Sequence, residues 1–232
     1  MKLFSVQAVK FRGRESNCVI DGNVGWIGIR NQLMFRIRFK VISSDFPYSI
    51  MFKDKEYRLG INDSGRIEFS VWDGVDWYPS VVGCSVVRDE WYDVVCIINS
   101  GVDRINKTIY VNDIDNKFED ISQDGSVVQT SNPLVIGNSK VVVDNIMFWY
   151  RILSKNEIES IFRGDLVFNR LGFWLAFEDI DVGESTILDS AETYDVLRKR
   201  YKGVLSNIEI VDGKELEYLK RTKGKVVVVK RY

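Results

Sequence analysis

The sequence of 232 residues contains no histidine. That absence excludes histidine-based catalytic triads, histidine-ligated metal centres and the side chain most often used as a general base near neutral pH. Cysteine is scarce too: Cys18, Cys84 and Cys96 are odd in number, too few for a disulfide framework, and each sits among apolar neighbours. Each is expected to serve as a small buried core residue, with a disulfide between one pair, such as Cys84 with Cys96, left open. Three prolines, Pro47, Pro79 and Pro133, fall at expected strand edges or turns, and no Pro- or Ser-rich linker divides the chain. No apolar run is long enough to cross a membrane as a helix. The opening MKLFSVQAVKF is interrupted by Gln7 and Lys10 and lacks the apolar block of a signal peptide. A place on an extracellular or virion surface would therefore require another route, such as release by lysis, and a cytoplasmic location stays open.

What the chain does contain is an aromatic-rich globular composition: 45% hydrophobic and 28% charged residues, with 13 Phe, 10 Tyr and 6 Trp. The formal net charge of -1 argues against a polyanion-binding protein as a whole, but the charge is unevenly spread. From Arg198 to Tyr232 there are 11 Lys or Arg against 4 Asp or Glu, a balance of +7 that leaves -8 for residues 1–197. Nucleic acid could meet Arg198 to Lys202 and the Lys220 to Arg231 tail. This reading is disfavoured, because lysines solubilising the run Val226 to Val229, or an interface with an acidic neighbouring subunit, explain the same residues.

Short runs of period-two alternation, separated by Gly, Asn, Asp or Ser, extend to about Arg151 and indicate a sandwich or barrel. In Gln32 to Val41 the residues Leu33, Phe35, Ile37, Phe39 and Val41 point one way, and Arg36, Arg38 and Lys40 are expected on a solvated basic face. Arg66 to Trp72 follows the turn Asn62-Asp63-Ser64-Gly65 with Ile67, Phe69 and Val71 inward. Tyr92 to Ile98 and Lys107 to Val111 repeat the pattern. Val141 to Tyr150 differs, because Ile146, Phe148 and Tyr150 alternate with Met147 and Trp149, so both faces are apolar and something must cover the second. Ser154-Lys155-Asn156-Glu157 has the spacing of a capping box. Ile158, Ile161 and Phe162 then form one stripe and Gly164 can close the helix, which is expected to pack on the sheet. Beyond it, strand patterns resume at Phe173 to Phe177, Asn207 to Val211 and Lys225 to Val229. Ala191 to Tyr201 is open between helix and loop.

Taken in order, these segments resemble the laminin G-like, concanavalin A-like jelly-roll superfamily. Val9 to Gly13 is similar to its opening strand and turn, and Leu33 to Lys40 to its strand ending in an aromatic and a basic residue. Tyr57 to Ile61 with Gly65 to Phe69 resembles the central hairpin. Glu90 to Val94 resembles the Trp-His pair before an apolar strand, with Tyr92 in place of His. Ile109 to Asp113 and Leu134 to Gly137 match later strands. The most specific stretch is Val143 to Ser154 with Glu157 and Ile158, similar to the last long strand and its capped helix. The resemblance implies one all-β, two-sheet antiparallel jelly-roll sandwich with one short helix, spanning residues 1–232. Leu171 to Phe177, then Gly183, Thr186, Asp189-Ser190 and Tyr201 to Gly203, resemble the segment that normally comes first. Residues 171–232 are thus expected to supply those strands by circular permutation, or else to a neighbouring subunit by swapping. In either case Phe173 to Phe177 should pair beside Val143 to Arg151.

Function is narrowed only to class. Non-enzymatic structural or binding work is favoured: a virion or cell-surface structural protein with a glycan-attachment role, working as a homo-oligomer or among capsid or envelope neighbours. A lectin module is the alternative. Its candidate site is Trp72, Asp73, Asp76, Trp77 and Tyr78, where aromatic faces could stack on sugar rings and carboxylates could accept hydroxyl hydrogen bonds. A sandwich glycosidase is disfavoured. The acidic cluster Glu178, Asp179, Asp181 and Glu184 lacks the one-face alternation that paired carboxylates need. No cofactor is required, although the resemblance leaves a calcium ion open at the sandwich rim, with Asp21, Asn23, Asp73, Asp76, Asp103 and Asp144 as hard oxygen donors. A turn-forming role for these residues is the favoured reading. Asn62-Asp63-Ser64 and Asn106-Lys107-Thr108 are sequons.

Overall fold

Apolar alternation resolves into sixteen strands and one helix among the residues that the computed structural model describes: 7–13, 15–22, 27–28, 31–77, 80–101, 104–124, 127–167, 169–176, 186–188, 202–206 and 208–212. The first half runs β1 (Gln7–Arg12), β2 (Asn17–Ile20), β3 (Gln32–Val41), β4 (Tyr48–Lys53), β5 (Tyr57–Ile61), β6 (Arg66–Val71), β7 (Val81–Ser85) and β8 (Trp91–Ser100). It continues with β9 (Arg104–Val111), β10 (Asp113–Asp124), β11 (Leu134–Gly137), β12 (Lys140–Trp149), α1 (Lys155–Phe162), β13 (Leu171–Ala176), β14 (Thr186–Leu188), β15 (Lys202–Ser206) and β16 (Ile208–Asp212). None of the described helical structure is long and apolar enough to cross a membrane.

Two antiparallel sheets result, as expected for a jelly-roll sandwich. One has the order β10-β9-β8-β3-β12-β1-β16, with β13 also on β12; the other has the order β14-β15-β2-β11-β4-β5-β6-β7. Their inner faces meet in one apolar core. Phe35 of β3 is central to it, with its ring 5.6 Å from Tyr57 and from Phe69 of the opposite sheet and 5.4 Å from Phe148 of its own. Each fully buried aromatic of this kind contributes about 1.5–3 kcal/mol of burial free energy. Tyr92, standing where the resemblance places histidine, stacks on Phe39 at 5.8 Å, and its hydroxyl accepts the Val87 amide at 2.6 Å.

The strand β12 organises the first sheet. One edge pairs with β3 along its length, while the other is shared end to end by β1 at residues 140–143 and β13 at residues 145–149. The pairing expected beside Val143 to Arg151 is therefore present within the one chain for Phe173 to Ala176. Asp144 falls at the junction, where the register against β3 slips between Val143 and Asn145. This bulge shifts the alternation by one residue, so that Val141 and Val143, then Ile146 and Phe148, all reach the inner core.

Residues of β12 that face away from the sandwich are covered as well. Met147 and Trp149, with Met34 and Ile97, pack under Ile158 and Ile161 of the helix. The Trp149 indole N–H donates to the Val167 carbonyl at 2.8 Å. Ser154 accepts the Glu157 amide while the Glu157 carboxylate returns to the Ser154 amide, which completes the expected capping box. Gly164 closes the helix at φ +85°, a conformation that glycine adopts without a Cβ clash.

This third layer overturns one expectation. Of the face formed by Arg36, Arg38 and Lys40, Arg36 is buried, because its cross-strand neighbours Met147 and Val95 lie in the layer under the helix, whereas Arg38 and Lys40 are half-buried. Arg36 is 2% exposed and grips Asp93 through both Nε, at 2.7 Å, and Nη2. Arg38 lies 3.4 Å from the buried Asp144 carboxylate and 5.4 Å over the Trp91 ring, which Lys40 also approaches at 5.4 Å. The three thiols are free, with Cys18 and Cys96 buried and Cys84 half-buried, and burial pushes Cys18 up to about 12.

Two outcomes follow from these contacts. Asp93→Ala leaves the Arg36 guanidinium buried without its partner and should cost about 3–5 kcal/mol in urea unfolding, whereas Arg36→Met with Asp93→Leu should recover most of that loss. The second outcome is pH-dependent. Hydrogen bonds from Arg151 and from the Ser154 amide hold the Glu157 carboxyl at about 2, below its ordinary 4.5. Its contribution is thus fully present above about pH 4.5 and is lost as pH falls toward 2. The stability gap between the wild type and Glu157→Gln should accordingly be widest at neutral pH and shrink on acidification; a gap independent of pH would refute this.

Candidate functional site

The expected aromatic turn forms where β6 runs out. Trp72 and Trp77 close it as an antiparallel bridge, with their rings edge to face at 5.5 Å. Its carboxylates are largely committed to the backbone. Asp73 Oδ1 accepts the Val75 and Asp76 amides at 2.7 Å each, and Asp76 Oδ1 accepts the Trp77 amide at 2.7 Å. The amides of Asp76 and Val75 are also what hold the Asp73 carboxyl below its usual range. Tyr78, the fifth residue of the expected site, lies outside the described residues. The structure thus brings Trp72, Asp73, Asp76 and Trp77 together as a turn in which both indoles are half-buried.

A buried charge cluster anchors this turn. Lys53 and Glu56 are both 0% exposed and form an ion pair. Thr130 completes it: its carbonyl accepts from Lys53 at 2.7 Å, and its amide and hydroxyl donate to Glu56 at 2.6 and 2.9 Å. The Glu56 carbonyl in turn accepts the Trp72 amide at 2.8 Å, which fixes the start of the turn.

The more open feature is a groove beside it, about 360 Å³ in volume, lined by Pro47, Tyr48, Ser49, Arg58, Gly60, Ile61, Asn62, Asp63 and Glu68. Period-two alternation explains its floor. Tyr57, Leu59 and Ile61 of β5 and Ile67, Phe69 and Val71 of β6 go to the core, which leaves Arg58, Gly60 and Glu68 on the outer surface. Gly60 pairs with Ser49 on one side and Glu68 on the other. A Cβ there would stand 2.5 Å from the Tyr48 carbonyl oxygen, so only glycine fits and the floor stays open. Arg58 connects groove and turn: its guanidinium lies 4.9 Å over the Trp77 ring and 3.7 Å from Glu68, and its Nε donates to Ser70 Oγ at 3.3 Å. Glu68 Oε1 accepts the hydroxyls of Ser80 at 2.5 Å and Ser70 at 3.4 Å.

Sequence reasoning found the turn but missed Arg58, Gly60 and Glu68. A signal was present in the outward positions of Tyr57 to Ile61 and Arg66 to Val71, where Arg58 and Glu68 carry opposite charges on either side of Gly60. Other expectations are settled differently or lie beyond reach. Asp144 is a strand residue with no exposure, not a rim donor. No three acidic or cysteine side chains among the described residues gather as a metal site. Asn23, Asp103, the Glu178 to Glu184 cluster, Ala191 to Tyr201, the basic segments Arg198 to Arg200 and Lys220 to Arg231, and Lys225 to Val229 lie outside the described residues.

Two antiparallel sheets packed face to face, with a polar groove on an outer face of one, define a β-sandwich domain of the jelly-roll kind. Residues 34–159, more than half of the chain, match the laminin G-type family described as the concanavalin A-like lectin/glucanases superfamily, and the chain belongs to that family. Among solved structures, a candidate carbohydrate binding protein from Bacteroides ovatus matches 91% of this chain and 61% of its own at 16% identity, with a TM-score of 0.63. This chain thus spans less than two thirds of that protein. Domains LG4-5 of the mouse laminin alpha1 chain match 63% of this chain and 41% of their own at 15% identity and TM-score 0.44. Trypanosoma rangeli sialidase matches 56% of this chain and 22% of its own at 16% identity and TM-score 0.41. At these identities the likenesses show the fold alone, and the last two are too loose to bear any argument. A comparison with curated proteins finds no match.

Proposed function

We propose that the protein is a carbohydrate-binding module without catalytic duty, and that its glycan lies in the groove between Tyr48 and Trp77. The observation that carries this reading is the Arg58 and Glu68 pair on the open floor of a groove lined on one side by Tyr48, with Trp77 stacked against Arg58. A guanidinium and a carboxylate stand side by side near an aromatic side chain, and sugars are recognised by hydrogen-bonding their hydroxyls and stacking their apolar faces. Such binding requires no cofactor, and a calcium ion at the rim has no assigned role in it. The description of the Bacteroides protein agrees with the reading but does not supply it. Hydrolysis is the weaker reading, since the Glu68 carboxylate is engaged by the Ser70 and Ser80 hydroxyls and stands beside Arg58, so its contacts are those of a structural and binding group.

The wider setting we propose is structural: an extracellular or virion surface, with the module displayed in a homo-oligomer or among capsid or envelope neighbours and serving attachment to glycans. In the same reading, residues 171–232 close their own sandwich in permuted order. Support comes from the pairing of β13, β15 and β16 with β12, β2 and β1 inside one chain.

On a glycan array the wild type should bind a restricted set of glycans, and Trp77→Ala and Arg58→Ala should each lower affinity by about tenfold or more, since stacked and charge-assisted contacts contribute roughly 1–3 kcal/mol apiece. The carbohydrate reading is lost if no glycan binds the wild type. Light scattering should report a defined oligomer; a monomer at high concentration would count against the assembly role and leave the binding role standing.

A further inference from the structure

The groove carries one positive side chain, Arg58, and two negative ones, Glu68 and Asp63. Its unused hydrogen-bonding groups are of both kinds. Among the described residues, the bonds to Glu68 all end on Oε1, which leaves Oε2 as a free acceptor on a half-buried side chain. Among the described residues Arg58 hydrogen-bonds only through Nε, and its Nη2 stands 3.7 Å from Glu68 Oε1, so both Nη groups keep N–H donors to offer. Asn62 Oδ1 accepts the amides of Ser64 at 3.1 Å and Arg66 at 3.0 Å, which leaves the side-chain NH2 as the group that can serve a ligand, as a donor. Ser49 Oγ, opposite the bare Gly60, is buried without a hydrogen-bond partner among the described residues.

A ligand that satisfies this set must donate and accept at neighbouring atoms. A pair of adjacent hydroxyls does so: one donates to Glu68 Oε2 while the next accepts from an Arg58 Nη group. A carboxylate, sulfate or phosphate can only accept. It could use Arg58 but would leave Glu68 Oε2 unmatched and place like charge beside it, since the two side chains are 3.7 Å apart. From this we infer that the groove selects uncharged sugars presenting adjacent hydroxyls and discriminates against anionic glycans. The inference rests on the carbohydrate-binding reading above and names the ligand class of that same site. Arg58 and Glu68 act as one specificity-determining pair, held by Trp77 on one side and by Ser70 and Ser80 on the other.

The test is titration calorimetry with glucose, mannose and galactose trimers, each beside the uronate trimer that differs in bearing a carboxylate at C6. At least one neutral trimer should bind, about tenfold or more tighter than its uronate counterpart. Glu68→Gln, which keeps the shape and an acceptor for Ser80, should weaken the neutral ligand by roughly tenfold and narrow its advantage over the uronate. Glu68→Asp, which keeps the charge, should preserve the discrimination at reduced affinity. A uronate that binds as tightly as its neutral partner, or a Glu68→Gln protein with unchanged neutral affinity, overturns the inference while leaving a glycan-binding module. If no trimer of either kind binds, the carbohydrate reading falls and the inference with it.

Discussion

Every residue from Val141 to Trp149 is buried, and that constraint shapes the rest of the molecule. A sandwich of two sheets covers one face of each strand and leaves the other to water. A strand apolar on both faces therefore requires a further layer, and the chain provides it at once, in the helix capped by Ser154 and Glu157 that lays Ile158 and Ile161 over Met147 and Trp149. The same burial forces company on the edges of β12, which is flanked by β3 on one side and by β1 and β13 on the other. Two of the flanking strands, β1 and β3, come from the first fifth of the chain, and β13 comes from beyond the helix.

Burial on the outer side also explains why charge is handled as it is. Arg36, Arg38, Asp93 and Asp144 would be ordinary surface residues on a two-layer sandwich. Here Arg36 and Asp144 are buried and Arg38 and Asp93 half-buried, and they form ion pairs in which a buried charge is costly alone and tolerated beside its partner. The opposite sheet has its own version in Lys53 and Glu56, which sit in the interior and are satisfied by Thr130. Neither pair is a large source of stability. Their effect is positional: the first holds β3 and β8 in register, and the second fixes the start of the aromatic turn beside the groove.

Much of the fold was legible in the sequence because period-two alternation reports directly which side chains face a core. Phe35, Ile67 and Phe69 were placed inward on that ground alone, and the capping box and Gly164 were read from local chemistry that needs no partner. The basic face of β3 was misread for a definable reason. Alternation separates two faces but says nothing of what lies beyond the second, so Arg36 looked solvated although it is buried. The site was legible in part. Trp72 and Trp77 advertised a turn, but their neighbour Arg58 lies fourteen residues before Trp72, and its place over the Trp77 ring exists only through pairing of β5 with β6.

By itself the sequence determined the class of fold, the absence of histidine chemistry, the two-sided strand and the helix that follows it, because each depends on composition or on neighbours a few residues apart. Tertiary structure alone decided that Asp144 marks a bulge where two strands share one edge, that Arg36 is buried, and that Tyr48, Arg58, Gly60 and Glu68 form one groove. Those facts depend on which strands become neighbours and in what register. Register is set by the summed packing of both sheets and the helix, and no local window of the chain contains that sum.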